Sequence, residues 1–269
     1  MATTTAYGSA PGQIVRCADC GHMQVDPLPE EELLEEDYAG VSEGAYLDEE
    51  PGQRATARRA LDRIERHVSR GALCDLGCWV GFLAAEARAR GWRAAGVEPS
   101  RFASQLARER LGLEVQTATI GAAELPQGSF DALVMGDVIE HLPNPLATLE
   151  RARGLLRPGG VLYLALPDAG SAVARRLGAR WWSVLPTHVQ YFTRASLATL
   201  LARRGFVVEW MGTAPKAFSV RYYLGRLEGY SPPLASAAVG AARAAGLADR
   251  LVCPDFRDRM AVLARVRPA

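Results

Sequence analysis

Lysine is almost missing from this sequence. Lys216 is the only one, and every other basic side chain is arginine, which reads as coding bias rather than chemistry. No sign of charge is in surplus. Lys and Arg number 31 against 30 Asp and Glu, for a formal net charge of +1. That balance offers no broad basic field for a nucleic-acid backbone or an anionic membrane. No run of about 18 apolar residues occurs, so no bilayer span is predicted. Met1 to Pro11 is small and polar without an apolar centre, and no secretory signal is expected. Cysteines are few and odd in number: Cys17, Cys20, Cys74, Cys78 and Cys253. Without framework spacing they favour reduced thiols and a cytoplasmic location.

What is present is a globular composition. Hydrophobic residues make up 49% and charged residues 23% of 269 residues, which suits one α/β core with appendages. Residues 1–52 read as an irregular N-terminal segment. It holds Cys17-Ala-Asp-Cys20, Asp26-Pro27-Leu28-Pro29 and an acidic run from Glu30 to Asp37. From Gln53 to Arg70, Ala57, Ala60, Leu61, Ile64 and Val68 recur at helical spacing. Residues 53–212 form the predicted core. Its apolar runs are Ala72–Leu76, Arg93–Val97, Leu113–Val115, Ala132–Met135 and Val161–Leu166. They alternate with helical stretches at Phe82–Arg90, Arg101–Leu111 and Pro145–Leu156. This alternation predicts a parallel sheet with helices on both faces. Leu156-Arg157-Pro158-Gly159-Gly160 is a turn signal. A helix over 193–204, a strand over Phe206–Met211, helix-like stretches near 217–229 and 234–249, and a strand-like Met260–Val266 complete the chain.

The chemistry concentrates in Leu73-Cys74-Asp75-Leu76-Gly77-Cys78-Trp79-Val80-Gly81-Phe82. A buried strand ends in an acid, then a glycine turn, then a helix. Gly77 permits a tight reversal close to a ligand. Gly81 opens a helix whose free N–H groups favour a carboxylate or phosphate. Glu98, in Gly96-Val97-Glu98-Pro99-Ser100, follows Asp75 by 23 residues at the end of the next strand. Adjacent parallel strands bring the two tips together, and a carboxylate there can accept hydrogen bonds from both hydroxyls of a ribose. Two acids around one glycine turn predict a nucleoside site. A nicotinamide site wants G-x-G-x-x-G, but Trp79 stands at the second glycine position. Asp75 would repel a phosphate and suit an ammonium group. S-adenosylmethionine carries an amino group, a carboxylate, a ribose and adenine, and fits these residues better. A nucleotide-dependent oxidoreductase and a non-catalytic nucleoside-binding module remain the alternatives from other classes.

At these residues the chain resembles a class I S-adenosylmethionine-dependent methyltransferase, in the small-molecule branch with the ubiquinone-type O-methyltransferases. The resemblance covers roughly residues 50–212. Asp75–Gly81 is similar to the family's first motif and Glu98 to its ribose acid. Thr119-Ile120-Gly121-Ala122-Ala123-Glu124-Leu125-Pro126 and Gly128-Ser129-Phe130-Asp131 resemble the segment that walls the adenine. Asp137-Val138-Ile139-Glu140-His141-Leu142 resembles the motif beside the methionine end, and Leu156–Gly160 the turn before the fifth strand. Trp79 departs from a common glycine, and Gly121 stands near the usual place of an acid for the adenine amino group. The resemblance implies a Rossmann-like, doubly wound, mostly parallel seven-stranded sheet. It also implies helical lid additions over 213–257 and a final antiparallel strand within 258–269. The implied cofactor contacts are Asp75, Gly77, Cys78, Trp79, Gly81, Phe82, Glu98, Pro99, Ser100, Thr119, Ile120, Asp137, Val138 and His141. The implied reaction is methyl transfer to a small molecule, with a hydroxyl oxygen favoured and nitrogen or carbon nearly as open. A second copy of the chain is an open partner.

His141 and His188 each have three readings. One is a general base toward the acceptor hydroxyl. Another is a ligand of a divalent cation with Asp137 and Glu140, where Asp137 is shorter than the glutamate of similar arrays. The third is a neutral hydrogen bond that ties loops to the sheet. The site is assigned with His188 and His141 as catalytic candidates and with no metal. Trp182, Tyr191 and Tyr222 are candidates for an aromatic wall at the acceptor, against plain packing. Cys17-x-x-Cys20 with His22 resembles half of a zinc ribbon. A structural zinc site wants four ligands, so a degenerate remnant is expected.

Overall fold

The structure, a computed structural model, describes residues 10–29 and 47–267. The acidic run Glu30–Asp37 and the first nine residues lie outside the described residues.

The chain opens with a hairpin of β1 (Gln13–Arg16) and β2 (Met23–Asp26). Next comes α1 (Glu50–Ile64), with Pro51 in its first turn, where the missing N–H costs nothing. Ala57, Ala60, Leu61 and Ile64 make its buried stripe. β3 (Ala72–Leu76), α2 (Phe82–Ala89), β4 (Arg93–Val97), α3 (Arg101–Leu111) and β5 (Glu114–Gln116) follow as strand–helix alternation. Ser100 caps α3 by accepting the Ala103 N–H. β6 (Phe130–Gly136), α4 (Pro145–Leu155) and β7 (Leu156–Pro167) continue it. After α5 (Ala172–Leu177) and β8 (Gln190–Tyr191) come α6 (Arg194–Arg203) and β9 (Phe206–Thr213). The last elements are β10 (Phe218–Ser219), α7 (Val220–Gly225), α8 (Pro232–Ala244), β11 (Leu251–Val252) and β12 (Arg259–Val266).

The main sheet has seven strands in the order β5-β4-β3-β6-β7-β12-β9. β3 through β7 are parallel, and β12 runs antiparallel to both β7 and β9. Side chains alternate between its two faces. Met260, Val262 and Ala264 of β12 join Leu162, Leu164 and Leu166 of β7 in one core cluster. Ala261 and Leu263 join Val161, Tyr163 and α1's Leu61 and Ile64 in the other. Each fully buried aliphatic side chain contributes about 1.5–3 kcal/mol, so neither face is dispensable. Among the described residues no helix is long and apolar enough to cross a membrane.

Three regions differ from the sequence expectation. The N-terminal segment is not wholly irregular: β1, β2 and β8 form a three-stranded sheet. Val25 is its buried contact, and its N–H donates to the Val189 carbonyl at 3.0 Å. Strands of four residues with one fully buried side chain leave almost no periodic signal. The predicted helix at 217–229 is broken, because Phe218 and Ser219 pair with Val252 and Leu251. Ser219 sends its N–H and hydroxyl to buried Glu49 at 2.7 and 2.6 Å, and its oxygen caps α7. That fixes the helix start at Val220. Finally, Leu156–Gly160 belongs to β7 as an irregular entry, with Gly159 at φ 81°.

Candidate active site

The glycine turn after β3 is tied to its neighbours by backbone hydrogen bonds. Gly77 and Cys78 both donate to the Val97 carbonyl at the tip of β4, at 2.8 and 3.0 Å. Gly77 has φ 79°, and a Cβ there would come 2.5 Å from Val138 Cγ2. Trp79 also has a positive φ, 50°, which costs a side-chain-bearing residue on the order of 1 kcal/mol. Glu98 holds that conformation. Its Oε2 accepts the Trp79 N–H at 2.8 Å and its Oε1 the Ser100 N–H at 2.9 Å. Burial raises the Glu98 carboxyl above its ordinary range, and the two amides pull against that. Each oxygen retains a lone pair for a hydroxyl donor.

A cavity of about 310 Å³ starts at this turn and runs between α1 and the sheet. Of the implied cofactor contacts, Asp75, Gly77, Cys78, Trp79, Phe82 and Asp137 line it. Glu98, Pro99, Ser100, Thr119, Ile120, Val138 and His141 are not on its wall. Glu98 and Ser100 lie directly behind the turn, while Ile120 and Val138 sit in the core cluster with Leu76 and Val97. Gly81 is the N-cap of α2, with a Cβ position 2.4 Å from Leu113 Cδ1. Cys78 packs on Gly96, where any Cβ would meet its sulfur at 2.6 Å, and burial pushes its thiol up. It is a packing residue. Trp79 keeps a buried indole N–H with no partner among the described residues.

Several wall residues escaped the sequence reading: Arg59 and Arg63 of α1, Tyr163 of β7, Trp210 of β9, Lys216 and Arg259. Val161–Ala165 is apolar throughout, so nothing in its pattern singled out Tyr163. Arg259 had no signal until β12 registers it opposite Pro167.

Two carboxyls dominate the electrostatics. Asp75 is buried, and burial first and Glu98 second push it up to about 7. Asp137, at φ 57° just after β6, is opposed by burial but held well below the usual carboxylate range by Arg259 and Lys216. Lys216 Nζ is 2.6 Å from Asp137 Oδ2, and Arg259 pairs with Oδ1. Tyr163 is pushed up to about 12 by burial, against the pull of Arg259 and Arg63.

The histidines gather elsewhere. His141 Nδ1 bonds the Thr187 carbonyl at 2.9 Å and His188 Nδ1 the Ser183 carbonyl at 2.8 Å. A carbonyl only accepts, so each Nδ1 carries the proton and each Nε2 a lone pair in the neutral ring. The rings meet edge to face at 4.6 Å. Burial holds His141 down at about 4 and His188 well below its ordinary value. Ligand atoms of Glu140, His141 and His188 all lie within 4.8 Å of one another. Both Glu140 oxygens are buried without a side-chain hydrogen-bond partner among the described residues. Burial, then Asp137, pushes that carboxyl up to about 8.

The three aromatic candidates lie off the cavity wall. Trp182 donates to Asp258 at 2.7 Å, Tyr191 is buried in the cluster around Val25 and Trp181, and Tyr222 stacks on Phe218 at 4.2 Å. Phe218, not Tyr222, faces the cavity. Cys17 and Cys20 occupy the turn of the β1–β2 hairpin, and all five cysteines are free. His22 does not complete a cluster with them among the described residues, because its ring bonds Gln190 at 2.8 Å and packs on Phe192.

A family model described as "Methyltransferase domain" matches residues 51–209, and the chain belongs to that family, with the Rossmann-like fold of solved methyltransferase structures. A ubiquinone biosynthesis O-methyltransferase of Chromobacterium violaceum is 30% identical over 39% of this chain and 49% of its own. The chain thus spans about half the length of that relative. A protein of the same name from Dechloromonas aromatica is 26% identical over 62% of this chain and 78% of its own. Among solved structures, a 1,6-didemethyltoxoflavin-N1-methyltransferase from Burkholderia thailandensis covers 96% of this chain and 100% of its own, at 18% identity and TM-score 0.60.

Proposed function

We propose that this protein binds S-adenosylmethionine at the glycine turn and transfers its methyl group to a small-molecule acceptor, at a hydroxyl oxygen of a secondary-metabolite type compound. The observation that carries it is buried Asp75 beside a turn stapled by Glu98 at the mouth of a cavity. In this reading Asp75 accepts from the ammonium group and the free lone pairs of Glu98 accept from the ribose. The unpartnered indole N–H of Trp79 donates to the ligand. When bound, S-adenosylmethionine would supply a methyl group activated on its sulfonium, for transfer to an acceptor hydroxyl that gives up its proton. The chain's contribution is to align the acceptor in a site shielded from solvent. The oxygen preference follows the names of the O-methyltransferase relatives, and the N1-methyltransferase neighbour keeps nitrogen as the alternative. Five free thiols suit a reducing, cytoplasmic compartment.

Calorimetry with S-adenosylhomocysteine is the test. Glu98→Gln should weaken binding by about 1–3 kcal/mol through a lost charge-assisted hydrogen bond. Wild-type affinity in that variant would remove the ribose assignment.

We also propose that Glu140, His141 and His188 hold a divalent cation rather than act as bases. The carboxylate without a partner favours this, since a buried unpaired acid is costly and two backbone-oriented imidazoles present lone pairs to it. Metal analysis of protein purified without chelator should find about one cation per chain, absent from Glu140→Gln. Metal-free protein with full activity would return both histidines to a purely structural role.

A further inference from the structure

We infer that the acceptor is an anion, and that Arg59 and Arg63 bind its carboxylate or phosphate group. This rests on the reading of the cavity as a methyltransferase site. The cavity wall carries four cations, Arg59, Arg63, Lys216 and Arg259, and two acids, Asp75 and Asp137. Lys216 and Arg259 are consumed by Asp137. Arg59 and Arg63 have no ion-pair partner among the described residues, although α1 pairs its other arginines readily, Arg54 with Glu50 and Glu86 and Arg58 with Glu86. They lie one helical turn apart, on the same face. Arg59 donates to the Cys253 thiol sulfur, and the Arg63 guanidinium carbon lies over the Trp210 ring, 4.0 Å from its centroid. Stacking fixes the plane of a guanidinium and leaves its edge N–H groups free for a bidentate oxyanion.

Position separates this anchor from the cofactor. Trp210 belongs to edge strand β9, four places from β3 in the sheet. At about 4.8 Å per strand, the backbones of Trp210 and of the glycine turn are roughly 19 Å apart. The wall between them is Tyr163 and Ala165 of β7 with Ala57 and Ala60 of α1, which suits a flat apolar body. An acceptor held at Arg63 by its acidic end thus extends across Tyr163 toward Asp137, where the reacting group would meet the methyl.

The test uses the full chain saturated with S-adenosylhomocysteine and four probes: benzoate, phenyl phosphate, benzamide and phenol. Calorimetry should show benzoate or phenyl phosphate binding roughly ten- to a hundredfold tighter than the neutral pair, with the gap lost in Arg63→Gln and reduced in Arg59→Gln. The stronger of the two anions identifies the oxyanion. Equal binding of all four, or no binding of either anion, overturns the proposal. A variant that loses S-adenosylhomocysteine affinity instead would assign the arginines to the cofactor's own carboxylate and also overturn it. A wild-type protein that fails to bind S-adenosylhomocysteine at all would defeat the methyltransferase reading itself. As a second arm, labelled S-adenosylmethionine incubated with cell extract should mark a product retained on an anion exchanger. Label in the neutral flow-through, or no labelled product, argues against an anionic acceptor.

Discussion

On the proposed reading, Asp75 serves two states of the protein. In the free chain it is buried, faces Glu98, and is held at about 7, so near neutrality it is partly uncharged. That condition lowers stability near neutrality, because the unfolded chain is already ionised there. An ammonium group brought against it favours the ionised form and pulls its pKa down. Ligand binding then expels a proton at slightly acid pH. The affinity for S-adenosylhomocysteine should therefore fall as pH drops below about 7, approaching roughly tenfold per pH unit. Asp75→Asn should bind weakly and with a flat profile. Calorimetry in two buffers of different ionisation enthalpy would detect the released proton, and its absence would detach Asp75 from the amino group. Asp137 behaves in the opposite way. Two cations already hold it ionised, so it serves as a fixed anchor between Lys216 and Arg259.

At the scale of elements, the β3–turn–α2 unit depends on glycine for two separate reasons. Gly77 needs its positive φ, and it needs the space that Val138 fills. Gly77→Ala should cost on the order of 1–3 kcal/mol in urea unfolding and weaken cofactor binding. Adding Val138→Ala should relieve the contact but not the dihedral, so recovery should be partial; full recovery would mean the φ requirement is unimportant. The sequence exposes this unit well because buried parallel strands read as continuous apolar runs bounded by glycine. Arg101–Leu111 was readable to the residue for a similar reason, with Ser100 before it and Gly112 after it. The β1–β2 hairpin was not, since its only fully buried residue, Val25, owes its burial to Val189 and Trp181, far along the chain. The cavity wall was half legible. Its glycine-turn side is local in sequence, whereas Arg59, Trp210 and Arg259 meet there only after β12 inserts between β7 and β9.

For the molecule as a whole, the histidine–glutamate cluster should govern how stability responds to pH. The Glu140 carboxyl stands at about 8 in the folded chain against an ordinary 4.5. Between those values the unfolded chain has lost the proton and the folded chain keeps it. Unfolding then releases a proton, and stability falls as pH rises through this window. His141 and His188, held down by burial, act with the opposite sign: unfolding takes up protons below about 6.5, so they reduce stability on the acid side. The span from pH 6.5 to 8 therefore isolates the acids. Asp75 contributes to the same trend near its lower end. Comparison with Glu140→Gln removes that share, because the variant keeps Asp75. With chelator present, wild type should lose about 2 kcal/mol more than Glu140→Gln between pH 6.5 and 8, continuing a divergence that opens near pH 4.5. A bound divalent cation would stabilise the carboxylate and reverse the slope, so repeating the measurement with zinc added should flatten or invert the wild-type curve and leave the variant's unchanged. Urea unfolding at four pH values provides the comparison. Parallel curves with and without the carboxylate would show that Glu140 is ionised in the native protein, and the account of the cluster would then be wrong at its base.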